Sequence, residues 1–207
     1  TQGVSSAASD VYKRQDEINV NLGCPSGTVV SKKRGSGILA YPDMLDSFLD
    51  ELYTKADFPV SIKTRVGFND DELWPKLIEI YSKYPISELT VHPRVQKDFY
   101  KNTPRMDDFA LAMQKINPDK TTLCYNGDIT DTNSFNALTD CFPDINEIMI
   151  GRGLFANPAL IAELKGISMD KAELRERLKN WHDEILSGYP VSYTHLRAHE
   201  TTLHFVC

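Results

Sequence analysis

Hydrophobic positions along this chain follow two alternating periods. Short β-branched runs stand at residues 17–21, 59–66, 88–92, 121–125 and 147–150, each stopped by glycine, proline or a polar turn. Between them the apolar residues fall at helical spacing. A helix starting near Pro42 aligns Met44, Leu45, Phe48, Leu49 and Leu52, and proline suits its first turn because its φ is already helical. A second helix, from about Asp71, puts Leu73, Leu77, Ile78 and Tyr81 on one face, and others are expected over 106–116 and 131–138. About five βα units in succession predict a parallel sheet with crossover helices. Glycine and polar residues recur after every strand, which favours a partial (β/α)8 TIM barrel of the α/β class over a doubly wound sheet. Beyond Asn157-Pro158 the pattern changes. Residues 167–186 form a charged helical run with Leu174, Leu178, Trp181 and Ile185 in register, read as the start of a C-terminal helical domain.

Both ends are expected to be foreign to this pattern. VYKRQ near the front and VSYTHLRAHET near the back resemble translated adapter or vector sequence. The expected organisation is therefore a non-native leader over 1–15, a partial barrel over 16–165, the start of a helical domain over 166–190 and a non-native tail over 191–207. The tail holds His195, His199 and His204, the first two at i, i+4 as metal ligands on a helix would be. Its vector-like sequence argues against a ligand cluster, and no metal is expected.

Composition narrows the class. At 207 residues and 41% hydrophobic the chain can bury one core, whereas a complete barrel ordinarily takes about 250 residues. A net charge of −6 and a pI near 5.4 give no basic footprint for nucleic acid. No apolar run is long enough for a bilayer and no signal-peptide core is seen, so no membrane partner is expected. Four cysteines without dense spacing make no disulfide framework, which points to a reducing cytoplasm.

The chemistry-bearing residues gather after the strands. Cys24 sits between Gly23 and Pro25 at the carboxyl end of the first strand, where a barrel keeps its active site. Its thiol could act as nucleophile or as general acid. Cys124 and Cys141 read instead as small buried hydrophobes. Lys63 and Arg65 alternate along one strand and point the same way. At a barrel mouth that way is inward, where an unpaired ammonium is costly, so an anion or electron-rich ring is the expected partner; the alternative is a surface salt-bridged pair. His92 ends the next strand and, taken alone, reads as a histidine satisfied by a neighbour. Asn126-Gly127-Asp128 and Gly151-Arg152-Gly153 follow the last two strands, where barrels commonly bind phosphate.

Taken in order, INVNLGCPS, KKRGSG, VSIKTRVG, ELTVHPR, LCYNGDI and EIMIGRGLFANP resemble the active-site segments of the tRNA-dihydrouridine synthase family. That resemblance implies an FMN-dependent TIM barrel followed by a helical domain that helps hold tRNA. It implies reduction of the C5–C6 bond of particular uridines, with NADPH reducing the flavin. Cys24 then matches the general acid that protonates C5 after hydride reaches C6, and Asn21 the residue touching uracil or flavin. Lys63 and His92 match flavin-ring contacts; Asn126, Gly127, Asp128, Gly151 and Arg152 match the phosphate-end loops. Arg65, Arg94 and Tyr100 match RNA or flavin contacts. The family's barrel also has strands before Glu17, with an Ala-Pro-Met segment and a flavin-contacting glutamine that this chain lacks, so the chain by itself is expected to be inactive. Other flavin barrels, such as dihydroorotate dehydrogenases, share the lysine and the Gly-Arg end but not NLGCPS. A non-catalytic interaction module is the alternative from another class.

Overall fold

In the computed structural model the described residues are 17–188. The expected leader and tail, with His195, His199 and His204, lie outside them. The described residues divide into two compact units, 17–127 with 145–148, and 128–144 with 149–188.

The first unit is built on a parallel sheet of five strands: β1 (Ile18–Leu22), β2 (Val60–Gly67), β3 (Glu88–Val95), β4 (Thr122–Tyr125) and β5 (Glu147–Ile148). Their spatial order is β1-β2-β3-β4-β5, the order of the chain. A doubly wound sheet reverses order at a switch point, whereas a barrel winds in one direction. The architecture is accordingly α/β with the winding of a partial TIM barrel. Four α-helices belong to this unit among the described residues: a short α1 (Gly27–Val30), α2 (Pro42–Lys55), α3 (Trp74–Tyr81) and α4 (Met106–Lys115).

Side chains alternate across a strand, and here the two faces differ in character. Ile62, Thr64, Leu89, Val91 and Tyr125 pack toward the helices and are buried. Thr64 Oγ1 and Tyr81 Oη, on α3, share a hydrogen bond of 2.9 Å, and Phe109 of α4 meets Tyr125 edge-on at 5.0 Å. Trp74 Nε1 donates to the Asp108 carbonyl at 2.8 Å, tying α3 to α4. Each fully buried aliphatic side chain here stabilises by about 1.5–3 kcal/mol, so Leu89→Ala would cost about 2–5 kcal/mol. The opposite face carries an in-register row of Asn21, Lys63, Thr90 and Cys124, followed by the pair Arg65 and His92.

Several elements depart from the sequence pattern. The β-branched run of the first strand would suit a buried position, yet only Leu22 of β1 is buried and Asn19 and Asn21 are exposed. Among the described residues β1 pairs with β2 alone. In α2 the core takes Leu45 and Leu49 and leaves Met44 and Phe48 at the surface. The second helix starts at Trp74, with Leu73 exposed. Strand β3 continues past His92 to Val95. Its pairing with β4 ends at Val91, so Pro93 needs no N–H on that side and is tolerated. Strand β5 is two residues shorter than its apolar run.

The second unit holds α5 (Thr132–Cys141), α6 (Arg152–Ala156), α7 (Leu160–Leu164) and α8 (Lys171–Gly188). Asp131 caps α5 by accepting from the Ser134 N–H at 2.7 Å. Helix α5 outlasts its expected end at 138, so Cys141 is its last residue and is exposed, not a buried hydrophobe in a connection. Asp170 Oδ1 accepts from the N–H groups of Ala172 and Glu173 at 2.7 and 2.8 Å, which is why α8 begins at 171 and not at 167. Along α8, Leu174 and Ile185 are half-buried, while Leu178 and Trp181 are exposed. Among the described residues no helix is long and apolar enough to cross a membrane.

Candidate active site

The turn after β1 sets the thiol. The Gly23 N–H donates to Asn21 Oδ1 at 3.0 Å, which folds the strand end back on itself. The Cys24 carbonyl accepts from the backbone N–H of Ser36 at 3.1 Å and from its Oγ at 2.8 Å. Gly35 stands at φ +54°, and a Cβ there would lie 2.8 Å from the Cys24 carbonyl oxygen. Only glycine lets the KKRGSG loop approach this closely. Cys24 itself is half-buried with a free thiol.

Lys63 lies in register between Asn21 and Thr90. It makes no hydrogen bond or ion pair with another described residue. Burial, and then the neighbouring charge of Arg65, bring its ammonium down to a pKa of about 8, with Cys124 acting in the opposite sense. A half-buried cation without a carboxylate is the arrangement expected where an anion or electron-rich ring belongs.

Arg65 is buried, and three of its N–H groups are spent on backbone carbonyls. Nε donates to the Gly23 carbonyl at 3.0 Å, Nη1 to Val95 at 2.9 Å and Nη2 to Phe99 at 2.9 Å. The guanidinium thus ties the Cys24 turn to the loop after β3, and it is not the surface salt-bridged residue that was the alternative. Its carbon also lies 5.6 Å from the centre of the exposed Tyr100 ring. Tyr100 in turn meets His92 edge-on at 6.0 Å.

His92 is held from both sides. Nδ1 lies 3.2 Å from Asn126 Oδ1 and Nε2 lies 3.3 Å from Arg94 Nη1. Burial, then repulsion from Arg65 and Lys63, depress its pKa to about 3 against the opposing hydrogen bond of Asn126. Arg94, buried beside it, also donates to the Asn102 carbonyl.

Cys24, Asn21, Lys63, Arg65, His92, Arg94, Tyr100, Asn126 and Gly127 therefore all belong to the first unit. Asp128, Gly151 and Arg152 belong to the second, where Arg152 Nη2 forms an ion pair with Asp128 Oδ1 at 2.5 Å. Gly127 has a packing reason independent of any ligand: a Cβ there would collide with the Tyr125 ring. At Gly151 a Cβ would meet nothing within 4 Å, so this glycine borders open space.

Sequence reasoning missed Ser36, Gln96 and Asp98. Gln96 Nε2 donates to the Pro25 carbonyl at 3.0 Å. Asp98 is buried and accepts from the Val95 N–H at 3.3 Å, from Asn102 and from Arg105, fixing the loop that carries Tyr100. Polar residues after a strand are ordinary, and no local pattern marks these three. Among the described residues no group of three or more His, Cys, Asp or Glu is arranged to hold a metal ion.

Comparison with known proteins shows the family. The family model described as "Dihydrouridine synthase (Dus)" matches residues 2–203. The protein named "tRNA-dihydrouridine synthase B" of Proteus vulgaris is 29% identical over 158 residues, covering 76% of this chain and 47% of its own length. Its namesake from Escherichia coli (strain K12) is 30% identical, covering 76% and 48%. A "Probable tRNA-dihydrouridine synthase" of Staphylococcus aureus (strain N315) is 33% identical, covering 68% and 43%. The chain spans about half the length of the curated relatives it matches.

Proposed function

Because the chain belongs to the dihydrouridine synthase family, we propose that its gene product is an enzyme that reduces uridine in tRNA to 5,6-dihydrouridine, with FMN as cofactor and NADPH as reductant, in the cytoplasm. The observation that carries the reading is Lys63. A half-buried ammonium with no carboxylate partner, in register beside Asn21 and one row from neutral His92, suits an electron-rich, anion-forming ring.

FMN, when bound, supplies the hydride for uracil C6. The chain's own residues do the rest. Lys63 supports negative charge on the ring, and His92, kept neutral by its surroundings and with both ring nitrogens already bonded, packs against it without adding charge. Asn126 and Gly127 take the phosphate end. In the second unit an ionised Asp128 only accepts hydrogen bonds, and it orients Arg152. Cys24 holds the proton delivered to C5. Asn21 contacts the base, and the exposed Tyr100 ring offers it a stacking surface. Arg65 and Arg94, with donors committed to backbone carbonyls and His92, contribute positive charge behind these contacts. A uridine must leave its stack to reach such a site, at a cost of a few kcal/mol.

A dihydroorotate dehydrogenase-like enzyme would use similar residues, and the family match favours the synthase. The test is a flavin-absorbance titration of the gene product that carries this sequence, followed by mass spectrometry of digested tRNA. Stoichiometric FMN uptake and a uridine gaining two hydrogens are expected. Flavin uptake with dihydroorotate oxidation and unchanged tRNA would replace the reading with its rival.

A further inference from the structure

The turn that bears Cys24 belongs to no strand ladder, yet each of its three consecutive carbonyls is gripped by a different segment. Gly23 accepts from Arg65 on β2, Cys24 from Ser36 in the glycine loop, and Pro25 from Gln96 after β3. The Gln96 amide must face Pro25 with its NH₂ group, since a carbonyl can only accept. Its platform is rigid. The Lys97 N–H donates to the Phe68 carbonyl at 3.2 Å, and Asp98 anchors the Val95 N–H and Arg105 in the same segment. Pro25 is half-buried, so water could have satisfied its oxygen; a side chain 71 residues away does so instead. Proline fixes its own φ, and with the carbonyls on both sides of Cys24 held, the bond that carries the thiol keeps one direction.

We propose that Gln96 is a positioning residue for the Cys24 thiol, acting through the Pro25 carbonyl as Arg65 acts through Gly23. A proton donor displaced by about 1 Å loses much of its effect on rate, up to roughly a hundredfold. The proposal deepens the assignment of Cys24 as proton donor, and rests on it for turnover but not for the behaviour of the thiol.

The experiment compares the full chain with Gln96→Leu, which removes the donor, and Gln96→Arg, which restores an N–H donor at that position. Iodoacetamide labelling is followed by peptide mass spectrometry, with exposed Cys141 as internal standard. Gln96→Leu is expected to raise the Cys24-to-Cys141 labelling ratio severalfold, and Gln96→Arg to return it toward wild type. In the active gene product Gln96→Leu lowers kcat by about tenfold or more with KM for tRNA unchanged. A wild-type ratio in Gln96→Leu overturns the proposal. So does a parallel rise at Cys24 and at buried Cys124, which would report loosening of the fold, or a failure of Gln96→Arg to rescue. A shifted ratio in a gene product that reduces no uridine supports the positioning role while removing the proposed reaction.

Discussion

Nη1 of Arg94 lies 3.3 Å from Nε2 of His92, and a guanidinium has donors only, so that ring nitrogen accepts. The proton therefore resides on Nδ1, which donates to Asn126 Oδ1 at 3.2 Å. Geometry alone makes His92 a neutral imidazole of one tautomer. The cations around it, Arg65, Lys63 and Arg94, act in the same direction.

The sign of the resulting pH dependence is fixed. His92 is depressed from an ordinary 6.5 to about 3 in the folded state. Between these values the unfolded chain binds the extra proton, so stability present above pH 6.5 is lost as pH falls toward 3. Nitrogen-15 NMR is expected to show the Nδ1–H tautomer from pH 8 to below pH 5. Denaturant unfolding of His92→Phe is expected to lose this part of the slope.

Lys63→Met should separate stability from binding. The ammonium is desolvated without a partner, so a thioether of similar length is expected to raise the melting temperature. Between pH 8 and 10.5 the unfolded wild type holds a proton that folded Lys63 has shed, so wild-type stability rises with pH there and the variant's does not. Flavin affinity is expected to fall about tenfold, the scale of one lost charge contact. Calorimetry and flavin fluorescence check the two effects.

Asp108 titrates the other way. Burial, then the charge and hydrogen bond of Asp71, raise its carboxyl from 3.8 to about 7. The folded state keeps a proton that the unfolded chain releases, so stability falls as pH rises from 3.8 through 7. Asp108→Asn removes this penalty. The side chain is partly solvated, which screens the effect, so a melting temperature only a few degrees higher above pH 7 is expected, with no difference below pH 4.

How far the sequence carried this picture depends on the range of the forces involved. The βα succession was legible, because strand and helix periods are local properties of runs such as 60–67 and 106–115. The positions of Cys24 after β1 and of Lys63 within β2 were legible as well, because glycine and proline mark a strand end and a cation inside an apolar strand stands out. The partners of Arg65 were not legible, since its three carbonyls come from two distant loops. Gln96 was invisible for the same reason. The exposure of β1 follows from its lack of a second described neighbour, which no property of its own residues reveals.

Arg65→Lys is expected to be severe despite conserving charge. One ammonium cannot reproduce the guanidinium fork toward Gly23, Val95 and Phe99. Buried carbonyls left without donors cost about 1–3 kcal/mol each. Denaturant unfolding should show a loss of that order together with faster alkylation of Cys24.

The most direct test of the account divides the reaction of the gene product into halves. Flavin reduction by NADPH, and then reoxidation of the pre-reduced flavin by tRNA, are followed by stopped-flow absorbance in wild type and Cys24→Ala. The account predicts an unchanged first half and a second half slowed by about 10²–10⁴-fold, the range for a lost general acid. Equal reoxidation rates in the two proteins would contradict it.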